Sequence, residues 1–246
     1  LTACITSCIL QNYRKDKCAN CDNLCAHRIA LHGLDGNSGR LGNAGLPADY
    51  RGITLANSPA REGQAKAYLL LEQYVATFKR HLAGGERAKS LYLWSESPGT
   101  GKTTTASALL AEYIAHDYLG ALKAGKQPQQ TPALFLDVNE WQTQYNIATM
   151  TSDEDAIKRI GADIKRLQSV DFAVLDDIGV RGASEAFRSY LHAIINHRTT
   201  NGLPTVFTSN LPIEDMAQVF DDRLYDRMRD MCAVIHFEGG SKRGMR

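Results

Sequence analysis

A short apolar strand pattern, Ser90–Trp94, runs directly into Ser95-Glu96-Ser97-Pro98-Gly99-Thr100-Gly101-Lys102-Thr103, and a helical pattern starts at Lys102. This order of strand, glycine-rich turn and helix is the setting of a phosphate-binding loop. Gly99 and Gly101 allow the backbone to curl so that successive N–H groups face one centre, and the helix N-terminus adds partial positive charge. Residues Ser97 to Thr104 are therefore the expected nucleotide contacts, with Lys102 on the β- and γ-phosphates and the Thr103 hydroxyl on Mg²⁺. The strict motif carries glycine where this chain has Glu96, so that carboxylate is expected to point to solvent. A lone Gly-Lys-Thr would be an ordinary turn; the flanking elements give it weight.

Strand and helix patterns alternate after this loop. Ala133–Val138, Phe172–Leu175, Pro204–Thr208 and Ala233–Phe237 read as further strands. Helices are expected over 102–118, 140–150, 153–167, 184–198 and 222–231, with a break near Thr151-Ser152 between the second and third. Such alternation implies crossover units and a mainly parallel five-stranded sheet in a three-layer αβα core. Before the first strand, Arg61 to Leu82 reads as a helix with Ala67, Leu70, Leu71, Tyr74, Val75 and Phe78 on one stripe. Residues 1–45 form a separate cysteine- and glycine-rich segment, and 46–246 the main domain.

The third strand ends in Asp176-Asp177. Carboxylates at the end of a buried strand are costly unless they meet cations or donors. Asp176 suits a magnesium ligand and Asp177 a base or water-orienting group. The fourth strand ends in Thr208-Ser209-Asn210, which places Asn210 to touch the γ-phosphate or the attacking water. Near the C-terminus, Arg223 and Arg227 lie one helical turn apart, close to Asp222 and Asp226. They are either arginines for a neighbouring subunit's phosphate or members of intrahelical ion pairs worth only about 0.3–0.5 kcal/mol each.

Five of the six cysteines fall within the first 25 residues. Cys8, Cys18, Cys21 and Cys25 follow the spacing C-x9-C-x2-C-x3-C, which suits a structural zinc site in a reducing compartment. Cys4, His27 and His32 are rival ligands, and an iron–sulfur cluster fits the same four thiolates. Metal binding would supply folding energy to a segment with few large apolar residues. Cys232 reads as a small buried hydrophobe. On the helical segment after the second strand, Lys158 and Arg159 recur seven residues later as Lys165 and Arg166. Beside Asp155 and Asp163 they read as a solvated face.

Taken in order, Leu46-Pro47-Ala48-Asp49-Tyr50-Arg51, the phosphate loop, Leu175-Asp176-Asp177-Ile178-Gly179, Ile195-Asn196-His197-Arg198, Pro204 to Asn210, Arg223-Leu224-Tyr225-Asp226-Arg227 and Ser241-Lys242-Arg243 resemble the replicative helicase loaders of the DnaC/DnaI type, which are AAA+ ATPases. The likeness spans about 200 residues. It implies an AAA+ fold without a large C-terminal lid and a slow, assembly-stimulated ATPase using ATP and Mg²⁺. It also implies Arg223 as an arginine finger and Arg243 as a second sensor. The implied partners are a hexameric replicative helicase, single-stranded DNA and further copies of the chain, with residues 1–45 as a zinc-bearing, helicase-binding segment. Where relatives of this class carry Glu, this chain has Asp177, shorter by one methylene. The resemblance also raises a DNA role for the basic pairs of the inserted helices.

The net charge is +1 and no stretch approaches the ~20 apolar residues that span a bilayer, so no membrane partner and a cytoplasmic location are expected. Leu1 to Leu10 lacks the features of a signal peptide, and without an initiator Met the chain is expected to begin inside a longer gene product. Competing readings are a transposition helper ATPase of the IstB type, a small-molecule kinase, and an adapter that binds ATP without turning it over.

Overall fold

The computed structural model describes residues 8–13, 18, 24–179 and 182–241. Five strands, β1 (Ser90–Trp94), β2 (Ala133–Asp137), β3 (Phe172–Asp176), β4 (Thr205–Ser209) and β5 (Cys232–His236), form a parallel sheet in the order β2-β3-β4-β1-β5. Because side chains alternate across a strand, each strand feeds two cores. Leu91, Leu93, Phe172, Val174 and Val206 face one layer, while Tyr92, Ala173, Leu175 and Phe207 face the other.

The first layer holds α1 (Ala26–His32), α2 (Gly39–Asn43), α3 (Ala65–Leu82) and α4 (Lys102–Lys123). The second holds α5 (Val138–Met150), α6 (Glu154–Ser169), α7 (Glu185–Thr200), the short α8 (Met216–Val219) and α9 (Asp222–Met231). Side-chain caps fix several starts. Asp137, Asp153, Ser184 and Asp221 each accept from a backbone N–H in the first turn of α5, α6, α7 and α9, worth about 1 kcal/mol apiece. The break between α5 and α6 falls at Thr151-Ser152, where Ser152 has φ 52°. Among the described residues no helix is long and apolar enough to cross a membrane.

Two expectations change. In α3, Leu70 is 54% exposed and Tyr68 is buried in its place. At about 100° per residue, Leu70 lies a quarter-turn outside the stripe centred on Leu71, whereas Tyr68 falls inside it. Helix α4 runs on to Lys123 and is buried nearly all round, because the sheet lies under one side and α3 with the N-terminal segment covers the other. The described part of residues 1–45 has no core of its own. Cys8, Ile9, Leu10, Leu31, Leu41 and Ala44 join the same buried cluster as Leu109 and Tyr113 of α4.

Arg198, at the end of α7, is fully buried. Its guanidinium donates to Leu167 O at 2.6 Å, Val170 O at 2.9 Å, Pro204 O at 2.9 Å and Thr205 Oγ1 at 2.8 Å. One side chain thus joins the end of α6 to the starts of β3 and β4. Burial lowers its pKa to about 10, which leaves it charged at neutral pH. Arg198→Ala should cost about 3–5 kcal/mol, since four buried acceptors lose their donor. A urea titration of the two proteins measures this.

Candidate functional site

The phosphate loop adopts the curl that its glycines allow, with φ 72° at Gly99 and 99° at Gly101. A Cβ on Gly101 would come within 2.4 Å of the Ala60 methyl, so glycine is needed there for close packing as well as for φ. The Lys102 ammonium donates to Ser97 O at 3.2 Å and Ser95 O at 3.4 Å, across the curl of the loop. Glu96 is exposed, and the cavity wall does not include it.

Strand β3 delivers Asp176 to the opposite side of this loop. Its carboxylate accepts from Thr103 Oγ1 at 3.0 Å and from Thr208 Oγ1 at 2.6 Å. Burial raises the Asp176 pKa to about 6, against the lowering effect of these two hydroxyls, and Asp137 and Asp177 raise it further. A divalent cation at this carboxylate would reverse that shift. Asp177 takes φ 60°, an uncommon conformation for a residue with a side chain. Three polar groups hold it there. Its N–H donates to Thr208 Oγ1 at 2.8 Å, and its carboxylate accepts from Asn139 Nδ2 at 2.7 Å and Asn210 Nδ2 at 3.3 Å.

These groups line a cavity of about 990 Å³, walled by Pro98 to Thr104, Asp176, Asp177, Thr208 and Asn210. Pro47, Tyr50, Pro59 and Ala60 supply an apolar wall. The volume would admit a nucleotide, and Thr103 and Asp176 are the residues that would hold its magnesium ion. Five carboxylates, Glu62, Asp137, Glu140, Asp176 and Asp177, face one ammonium, Lys102. An anionic ligand in such a cavity needs further positive charge, of the kind a metal ion would supply.

Asn139, Asp137 and Glu140 were not anticipated from the sequence. They sit at and just beyond the C-terminal end of β2, where open parallel sheets collect ligand-binding groups. That rule would have flagged Asn139. Gln64 was also missed. It is buried, donates to Thr100 O at 3.4 Å and Glu238 O at 2.7 Å, and accepts from Glu238 N at 3.2 Å.

The remaining candidates lie apart from the cavity. Arg223 is exposed on α9 and makes no ion pair within the described residues. Arg227 binds the Asn196 and Thr200 side chains of α7, and Asp226 pairs with Arg229 at 3.0 Å, so neither arginine forms the intrahelical pairs considered for it. On α6, Lys158, Arg159 and Arg166 pair with Asp155, Asp153 and Asp163 at 3.3, 4.0 and 3.8 Å, the solvated face anticipated from the charge pattern. Arg243, Cys4 and Cys21 lie outside the described residues. The Cys8 thiol is pushed up mainly by burial, and the neighbouring Cys18 and Cys25 add to the rise. Among the described residues no group of three or more His, Cys, Asp or Glu is placed to hold a metal ion. His27 Nδ1 meets the Tyr118 hydroxyl at 2.9 Å, and His32 Nε2 accepts from Ile9 N at 3.4 Å.

Comparison with known proteins bears on this arrangement. The family model described as IstB-like ATP binding protein matches residues 137–246. The replicative helicase loader DnaC of Escherichia coli (strain K12) is 27% identical over 172 residues, covering 68% of this chain and 59% of that protein. Over that stretch the chain is similar to the DnaC helicase loaders. It spans about 59% of the length of that DnaC. Among solved structures, DnaI superposes with a TM-score of 0.55 at 22% identity, covering 78% of this chain and 94% of that one. The DnaC helicase loader superposes with a TM-score of 0.53 at 20% identity, covering 82% of this chain and all (100%) of that one. The two likenesses show a shared fold.

Lys102→Ala should abolish binding of a fluorescent ATP analogue at micromolar concentration. An unchanged affinity would remove the phosphate-loop assignment.

Proposed function

We propose that this chain is an ATPase that acts on a protein partner, binding a replicative DNA helicase and delivering it to single-stranded DNA. The observation that carries the reading is the meeting of the two halves of the site. Thr103 on the loop helix touches Asp176 at the end of β3 at 3.0 Å, with Asp177 and Asn210 beside them.

ATP with its magnesium supplies the scissile phosphoanhydride and the Lewis acid. The chain's own groups divide the remaining work. Ser97 to Thr104 cradle the phosphates, and Lys102 neutralises the β- and γ-oxygens. Thr103 and Asp176 would hold the metal. Asp177 orients the attacking water and takes up its proton, held in place by Asn139 and Asn210. Because Asp reaches one methylene less far than Glu, turnover is slow until assembly tightens the site.

The excess of carboxylates in the cavity makes arginines from outside it necessary for charge balance, and Arg223 on its exposed helix suits delivery to a neighbouring copy. Arg243 would serve as the second sensor. Fingers of this kind elsewhere are worth about 10³–10⁵ in rate. The chain would thus work as an assembly in the cytoplasm. Single-stranded DNA would contact the α5–α6 hairpin through its backbone phosphates, in a salt-sensitive way.

Arg223→Ala should keep ATP affinity within about threefold and lose assembly-dependent hydrolysis by at least about 10³-fold. Full hydrolysis by the assembled variant would reject the finger role. The matching family model keeps a second reading open, a transposition helper of the IstB type. Co-purification separates the two: capture of a hexameric helicase supports the loader, and capture of a transposase sinks it.

We assign a structural zinc ion to Cys8, Cys18, Cys21 and Cys25, within a segment 1–45 that binds the partner. The donor chemistry fits. Nearby, the buried Arg28 has Nε and Nη1 without a hydrogen-bond partner among the described residues, a positive charge that four thiolates on zinc would balance. Metal analysis of the purified protein should return one zinc per chain, lost in Cys18→Ser. No bound metal in the wild type would end the assignment.

A further inference from the structure

Glu112 lies on α4 nearly three turns beyond Lys102 and takes no part in the chemistry above. It is 5% exposed, and its carboxylate joins three separate stretches of chain. Oε1 accepts from Leu55 N at 3.2 Å, and Oε2 accepts from the Tyr13 hydroxyl. The same hydroxyl lies 3.2 Å from His116 Nδ1, and the Tyr13 and His116 rings meet edge-on at 5.1 Å. Tyr13 closes the docked N-terminal stretch whose Ile9 and Leu10 are buried in the core.

Leu55 begins the loop that walls the cavity. Four residues on, Pro59 and Ala60 line it, with the Ala60 methyl seated against Gly101. The loop has a second anchor on the same face of α4. Ser58 Oγ meets the Tyr68 hydroxyl at 2.6 Å, and that hydroxyl meets Thr105 Oγ1 at 2.9 Å. Thr105 and Glu112 are seven residues apart, two turns of helix. The wall is thus pinned at one point through Tyr68 of α3 and Thr105 of the phosphate-loop helix. At the other it is pinned through a carboxylate that the N-terminal stretch must help to satisfy.

We infer that Glu112 is a positioning residue that couples docking of the N-terminal stretch to nucleotide affinity. With Tyr13 seated, both carboxylate oxygens are bonded and the 54–60 wall is held against the phosphate loop. When a partner draws Tyr13 away, a buried carboxylate loses one of its donors. The cost falls on Leu55 and the wall, and nucleotide binding weakens. By linkage, bound nucleotide strengthens docking by the same factor. This inference rests on the reading of the cavity as a nucleotide site.

The test uses the full chain and ATP itself. Tyr13→Phe removes one hydroxyl far from the cavity and should weaken ATP binding about 5- to 10-fold. Glu112→Ala should do at least as much. Glu112→Gln keeps an acceptor for Leu55 and should recover most of the affinity. In hydrogen exchange, ATP should slow the amides of residues 10–13 in the wild type and leave them unaffected in Tyr13→Phe, an effect that a stability change alone would not produce. Equal ATP affinity in wild type and Tyr13→Phe, with equal protection, would overturn the coupling and leave the nucleotide site standing. A wild type that binds no ATP would overturn both.

Discussion

The contact between Thr103 and Asp176 is the constraint on which the rest of the site depends. It joins the first turn of α4 to the end of β3, two elements more than seventy residues apart in sequence. Asp176 can sit buried there because two hydroxyls meet it, one from the loop helix and one from β4. A cation that displaced either hydroxyl would meet a carboxylate already stripped of water, where charge acts strongly. The same burial that raises the Asp176 pKa to about 6 makes the position a strong ligand once a metal is present.

Helix α4 carries this constraint into the fold. Its N-terminus is the phosphate loop, and its body fills the layer between the sheet and α3, with Ala106, Leu109, Leu110, Tyr113 and Ile114 fully buried. The N-terminal stretch packs on the same helix. Shifts of α4 therefore reach the phosphate loop and the N-terminal stretch together, because close-packed cores transmit displacement with little loss.

The fold was legible because its signals are local. All five strands were found to within two residues at each end, since short apolar runs bounded by glycines and helical patterns leave little ambiguity. The break at Thr151-Ser152 was legible too. What escaped depends on how elements meet. Leu70 and Tyr68 could not be sorted without knowing where the stripe of α3 is centred. The polar tie of Arg227 goes to α7, and helical spacing alone suggests its own helix. Asn139 acts through the Asp177 carboxylate, and no pattern in the chain joins residues 38 positions apart. The docking of Ile9 and Leu10 was hidden by composition: a segment poor in large apolar residues can still bury the few it has against a neighbour's core.

Gln64 stitches the two flanks of the site together. Its side chain exchanges a pair of hydrogen bonds with the backbone of Glu238, just past β5, and also reaches Thr100 in the phosphate loop. The entry to α3 and the exit from the sheet, 174 residues apart, therefore form one seam beside the phosphate loop. Breaking that seam would free the backbone of Thr100 without removing any side chain assigned to the chemistry, so one neutral amide ties the phosphate loop to both flanks of the sheet.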